Sequence, residues 1–393
     1  MTDGPDTKLW QEFPGTSSST LALPDYKSNY FAYGFDWKRN QNLGLKITGD
    51  FGYARYMSYN IYAALDGTSK DSLLDVAIEP LPGNVNPFRA GCPAHAPNRK
   101  YTVNVFCWDN ASPTTRALPN RLTFTNIPNQ VDDQMTMLVV ILRYYLPTDG
   151  DKWADVPPPL IEAFDTEHNV SAQRPPNLVP KTMPKSIYEK QLAPIFYTVV
   201  DDTLRFYHVA GGGQFNNADN LYLMNAVDKR PDEVLLLKFQ PPTYALNHDR
   251  YPEVQVRYWS FNEGNPDTST PTGRADEGFR MAKDGLIYIA FGKQTQTLAD
   301  WAQRGGYNFM PWEASPGKAV IVYRNLVTNP ALFEAGDIAQ VPVLSDITSN
   351  TDPRIYTLDA KNTINSYAPT GKKVTEAEFM KNYGGMPSPG FKV

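Results

Sequence analysis

The chain has 393 residues, 41% apolar and 20% charged, a globular balance that excludes an intrinsically disordered protein. Its net charge of −5 comes without any basic run, which argues against a nucleic-acid partner. No apolar stretch approaches the roughly 20 residues that a membrane-spanning helix needs, and the longest, Met135–Leu142 and Leu192–Val200, read as strands.

Aromatic residues at 12%, with 34 prolines and 26 glycines, point to half-buried pleated sheets joined by many turns. The N-terminal arm, residues 1–24, opens MTDGPDTKLWQEF and has no apolar run of the signal-peptide kind. An exported protein whose signal has been removed and a cytoplasmic one both fit that start. The sequons Asn110-Ala-Ser112 and Asn169-Val-Ser171 lean towards export.

Residues 25–163 read as a first β-sandwich, with strand-like blocks at Leu43–Ile47, Arg55–Tyr62, Tyr101–Val105 and Leu138–Arg143. Cys92 and Cys107 lie fifteen positions apart within it. They are expected to approach closely enough for a disulfide, a loop closure worth about 3 kcal/mol in the chain-entropy model. Residues 164–199 form a connector carrying Pro175, Pro176, Pro180, Pro184 and Pro194, a semi-rigid composition. Residues 200–335 read as a second sandwich. Residues 336–393 read as a turn-rich extension with one short helix near Val374–Lys381, capped by Thr375 or a neighbour.

The two sandwiches repeat one another. Tyr53-Ala-Arg-Tyr-Met-Ser-Tyr-Asn60 matches Gln255-Val-Arg-Tyr-Trp-Ser-Phe-Asn262. Upstream, Ser28-Asn-Tyr30, Asp36-Trp-Lys-Arg39 and Leu43–Ile47 correspond to Asp219–Tyr222, Asp228-Lys-Arg230 and Val234–Phe239. Downstream, Tyr101–Val105 and Leu138–Arg143 correspond to Leu286–Ala290 and Ala319–Arg324. Blocks recurring in one order imply internal duplication, with insertions falling in loops. The expected fold is therefore all-β: two tandem antiparallel β-sandwich domains, jelly-roll-like, related by duplication.

The block Gly49–Tyr62, followed by Ile78-Glu-Pro80 and Gly83-Asn-Val-Asn-Pro-Phe88, resembles a set of mainly bacterial proteins with two such modules. Val256–Ser260, Met310-Pro-Trp312 and Tyr323-Arg-Asn-Leu326 fit the same set, and the likeness spans roughly residues 25–335. Each half is distantly similar to the jelly-roll module called domain of unknown function 1214. That resemblance implies a fold and assigns no catalytic residue.

Motifs for chemistry are scarce. The histidines, His95, His168, His208 and His248, form no ligand spacing with one another, and no Gly-x-Ser-x-Gly elbow or phosphate loop occurs. No cofactor is implied. Asn216, Asn217, Asp219 and Asn220 suit a polar turn better than a calcium loop. Asp71, Asp75 and Glu79 are the carboxylates closest to an acid–base set, and a solvated loop is the simpler reading.

Period two places Tyr56, Ser58 and Asn60 on one side of their strand, and Tyr258, Ser260 and Asn262 on one side of theirs. Tyr30 with Arg143, and Tyr222 with Arg324, are candidates to join them. Hydroxyls, amides and aromatic rings together suit a glycan or a small amphipathic metabolite. Only the second half adds His208, Gly211–Gly213 and Asn220. The candidate ligand site is therefore Tyr222, Tyr258, Ser260, Asn262, His208, Asn220 and Arg324. The alternatives are a metal-independent isomerase, lyase or cyclase with Tyr and His acid–base groups, and a structural or assembly protein.

Overall fold

In a computed structural model, the described residues are 9–14, 23–64, 67–126, 136–148, 153–178, 203–209, 215–246, 253–265, 269–312, 317–344 and 351–384. The first module contains β1 (Gln11–Pro14), β2 (Ser28–Asp36), β3 (Leu43–Asp50), β4 (Ala54–Ala63), β5 (Ser69–Leu74), β6 (Lys100–Cys107), β7 (Arg121–Phe124), β8 (Met137–Pro147), β9 (Leu160–Asp165) and β10 (Ser171–Ala172). They form two sheets, β1-β2-β8-β4-β5 and β10-β9-β3-β6-β7.

The second module contains β11 (Thr203–Leu204), β12 (Tyr207–Val209), β13 (Asn220–Lys229), β14 (Glu233–Phe239), β15 (Val256–Gly264), β16 (Thr272–Ala275), β17 (Ile287–Lys293), β18 (Asn308–Trp312), β19 (Gly317–Thr328), β20 (Val343–Leu344) and β21 (Thr370–Thr375). Its sheets run β16-β15-β19-β13-β12-β20 and β11-β21-β14-β17-β18. Each module is thus two sheets packed on one apolar core, as the expected class requires. Phe31, Tyr59, Val103 and Leu142 are buried in the first core; Phe239, Trp259, Phe261 and Tyr323 are buried in the second.

Strand order β2-β8-β4-β5 recurs as β13-β19-β15-β16, and β9-β3-β6-β7 recurs as β21-β14-β17-β18. Register agrees as well. Arg143 stands opposite Tyr30 and Ser58, and Arg324 opposite Tyr222 and Ser260. One parallel pair recurs at the same place, β6 with β7 and β17 with β18, and the second module adds another, β12 with β20. Parallel neighbours need a crossover of a dozen or so residues, usually helical. Here the crossovers carry α1 (Pro113–Arg116) and the longer α2 (Gln296–Arg304).

Three boundaries shift from the sequence reading. The arm adds β1 to the first sheet, and β9 and β10 extend the first module past residue 163. The C-terminal extension is part of the second module, because β21 pairs with β14 as β9 pairs with β3. Gly371 permits that pairing, since a Cβ there would fall 1.8 Å from the Leu236 carbonyl oxygen. The expected helix follows as α3 (Glu376–Asn382), with Thr375 accepting from the Glu378 amide. Connector residues 179–199 lie outside the described residues.

The disulfide expectation is corrected: Cys92 and Cys107 are both free. Cys107 closes β6, whereas the loop holding Cys92 is tied beside its start. Arg89 bonds to Val76 and Glu79, and Pro80 bridges to Tyr101. Seven residues of strand put those ends about 23 Å apart. No helix among the described residues is long and apolar enough to cross a membrane.

Candidate functional site

Strand alternation sends Tyr56, Ser58, Asn60 and Tyr62 away from the first core, yet every residue of β4 is buried. The same holds for β15 with Tyr258, Ser260 and Asn262. These outer faces are covered because each module lays the segment preceding its first long strand across the other module.

Asp25, from the segment before β2, enters the second module. It accepts from Tyr258 Oη at 2.7 Å and from Ser260 Oγ at 2.6 Å, with Arg324 Nη1 at 3.8 Å. The Tyr26 amide donates to Asn262 Oδ1 at 2.8 Å, and Arg324 donates to the Leu23 carbonyl. Gly273 leaves room for this crossing, since a Cβ there would lie 2.3 Å from Tyr26 Cβ.

The converse strap is Phe215–Asp219. Tyr56 Oη lies 3.0 Å from Asn217 Oδ1 and 2.7 Å from Asp219 Oδ2, and Arg143 donates to the Phe215 carbonyl at 2.6 Å. Leu23 and Phe215 share left-handed backbone, at φ 49° and 55°. The Asp25 amide meets Tyr30 Oη as the Asn217 amide meets Tyr222 Oη.

Crossed ion pairs close the seam. Arg55 reaches Asp276 at 2.5 Å, and Arg257 reaches Asp75 at 2.7 Å. Burial pushes Asp276 up to about 6 against the pull of Arg55 and the amides of Trp259 and Glu277. Asp75 is raised by burial against Arg257. Tyr56, Tyr145 and Tyr258 pack edge to face between the pairs, with centroids 5.3 Å apart.

Of the sequence-derived site, Tyr222, Tyr258, Ser260, Asn262, Asn220 and Arg324 do come together on the outer face of the six-stranded sheet. Tyr222 is half-buried and the others are buried, with Asn220 donating to Tyr145 Oη at 3.2 Å. The carboxylate they hold is the chain's own Asp25. His208 does not join them. On β12 it pairs with Leu223, whose side chain faces the core, and its Nδ1 lies 2.8 Å from the Val341 carbonyl oxygen. Partners across a ladder share a side, so the sheet separates His208 from Tyr222. Gly211–Gly213 and His248 lie outside the described residues.

The outer face of the second module's five-stranded sheet was not singled out by sequence. Side chains from Thr370, Lys238 and Tyr288 form one cross-strand row, and Lys372 and Leu236 begin the next. One end of this face is capped by α2 and α3, which bury Leu298, Ala302 and Phe379 over Val234 and Ala290. Beside them a cleft of about 420 Å³ remains, lined by Leu236, Lys238, Tyr288, Tyr307, Asp359, Lys361, Thr370, Lys372 and Tyr383. The Tyr288 and Tyr307 rings meet edge-on at 5.7 Å. Burial pushes both hydroxyls up to about 12, so they stay protonated donors at neutral pH. Tyr288 donates to Asp284 Oδ2 at 2.8 Å. Lys372 Nζ lies 5.1 Å from the Tyr383 ring centroid and 3.7 Å from Glu378 Oε1.

The signal available in sequence was the alternation Val234-Leu236-Lys238 on the side opposite the core. Among the described residues, no group of three or more His, Cys, Asp or Glu side chains could hold a metal.

No protein-family model and no curated protein matches the chain. Among solved structures it is similar to an uncharacterised protein from Burkholderia cenocepacia, with TM-score 0.54 and 12% identity over 96% of this chain and 84% of that one. It also aligns with the VPA0106 protein of Vibrio parahaemolyticus, at TM-score 0.41 and 12% identity, over 84% and 87% of the two chains. The first likeness concerns the fold alone. It extends over both modules.

Proposed function

We propose that the chain is a ligand-binding β-sandwich protein, and that its site is the cleft on the outer face of the second module's five-stranded sheet. The ligand class is a small amphipathic molecule. The observation that carries this reading is the cleft's composition: buried leucine side chains, the phenol rings of Tyr288, Tyr307 and Tyr383, and the ammonium groups of Lys238, Lys361 and Lys372. Its volume lies within the range of about 300–1,000 Å³ usual for small-molecule sites. The glycan alternative drew on the Tyr-Ser-Asn faces, whose polar atoms are engaged by the opposite module's strap. Descent of the modules by duplication, from an ancestor akin to the domain-of-unknown-function-1214 module, belongs to the same proposal. It is supported by matching strand order and register.

Titration with the neutral fluorophore N-phenyl-1-naphthylamine tests the site. One equivalent is expected to saturate the protein. Thr370→Trp, which fills the cleft, is expected to weaken binding at least about tenfold, a 1.4 kcal/mol change. Ser260→Ala at the seam should leave it unchanged. Binding that survives the tryptophan and falls with the seam substitution would refute the assignment.

A further inference from the structure

Resting on the reading of the cleft as a ligand site, we propose that its ligand is an anion with an aromatic or extended apolar body, and that Lys238 receives the charge. Lys238 projects from β14, one residue before its end, between Thr370 and Tyr288, so neither strand neighbour is acidic. Among the described residues, no carboxylate lies within ion-pair distance of its ammonium group.

Nearby lysines differ. Lys373 Nζ lies 2.9 Å from Glu233, and Lys372 rests between Glu378 and the Tyr383 ring. The first module's counterpart face sets Lys46 opposite Glu162. The cleft lining holds three lysines and Asp359, with Glu378 beside Lys372 and Asp284 beside Tyr288, so Lys238 keeps an ammonium group with no carboxylate against it, in a chain whose net charge is −5. A cation without a carboxylate beside it, on an apolar cleft, favours an anionic ligand.

Leu236 and the perpendicular Tyr288 and Tyr307 rings supply the apolar contact. The Tyr307 phenol donates a hydrogen bond to an anion's oxygen, whereas Tyr288 spends its proton on Asp284. A cationic ligand would meet the like charge of Lys238, and a neutral polyol would leave that ammonium unmatched.

The test compares two dyes on one framework, N-phenyl-1-naphthylamine and its sulfonate, 8-anilino-1-naphthalenesulfonate. The sulfonate is expected to bind about tenfold more tightly, with the advantage shrinking as salt rises. Lys238→Gln should bring it down to the level of the neutral dye, while Lys238→Arg retains most of the advantage. Equal affinities in the unmodified protein, or sulfonate binding untouched by Lys238→Gln, would overturn the anion assignment while the neutral dye still reports the cleft. Failure of both dyes to saturate, or their insensitivity to Thr370→Trp, would instead sink the cleft as a site, and this inference with it.

Discussion

The second module has two outer faces built from similar residues, and they meet opposite fates. On the six-stranded sheet, Tyr258, Ser260, Asn262 and Arg324 are sealed beneath a strap whose Asp25 carboxylate meets all four. On the five-stranded sheet, Tyr288, Tyr307, Lys238 and Lys372 line an open cleft. The sealed face has a counterpart in the first module, at Tyr56, Ser58, Asn60 and Arg143. The open one does not, because there the counterpart helix is the short α1 and Lys46 faces Glu162. A pattern shared by two modules marks the place where they meet each other.

The largest expected effect breaks the seam. Arg257→Ala strands Asp75, fully buried, without its counter-charge. It should cost about 3–5 kcal/mol in urea unfolding. A loss under about 1 kcal/mol would mean that the crossed pairs do not hold the modules together.

Next in size is a pH effect. Asp276 has its carboxyl raised from 3.8 to about 6 by burial, so the folded chain holds this proton more tightly than the unfolded one. Its contribution to stability is full below about pH 4 and is lost as pH rises through about 6. At 1.36 kcal/mol per pH unit the loss is roughly 3 kcal/mol. Asp276→Asn should flatten that part of the stability profile relative to the unmodified chain, and an unchanged slope would remove the carboxyl from the account.

A smaller effect separates the halves of the seam. Ser260 donates to a carboxylate at 2.6 Å, whereas Ser58, its counterpart, donates to Asn60 Oδ1 at 3.4 Å. Ser260→Ala is expected to cost about 1.5–3 kcal/mol and Ser58→Ala under about 1 kcal/mol. Equal losses would contradict the reading that Asp25 makes the two straps unequal. The smallest effect is at the cleft, where Lys238→Gln should change stability by no more than about 0.5 kcal/mol.

Sequence made the strands legible, because period two and apolar runs are local. It also placed Tyr258, Ser260 and Asn262 on one side and Arg324 with Tyr222, which register confirms. It did not reveal what covers that side, since Asp25 lies 235 positions from Ser260. His208 was misgrouped because neighbours in sequence can sit on opposite sides of a sheet. The cleft is equally illegible in sequence, because β21 pairs with β14 from more than a hundred residues downstream. Spacing suggested the Cys92–Cys107 bridge. The length of β6 prevents it.

Crystals soaked in 8-anilino-1-naphthalenesulfonate would test the division between seam and cleft most directly. The expected result is dye density against Tyr307 and Leu236, with the sulfonate at Lys238 and Asp25 still bound to Tyr258 and Ser260. Density wedged beside Tyr222 and Tyr258, with the Leu23–Lys27 strap displaced and the cleft empty, would contradict it.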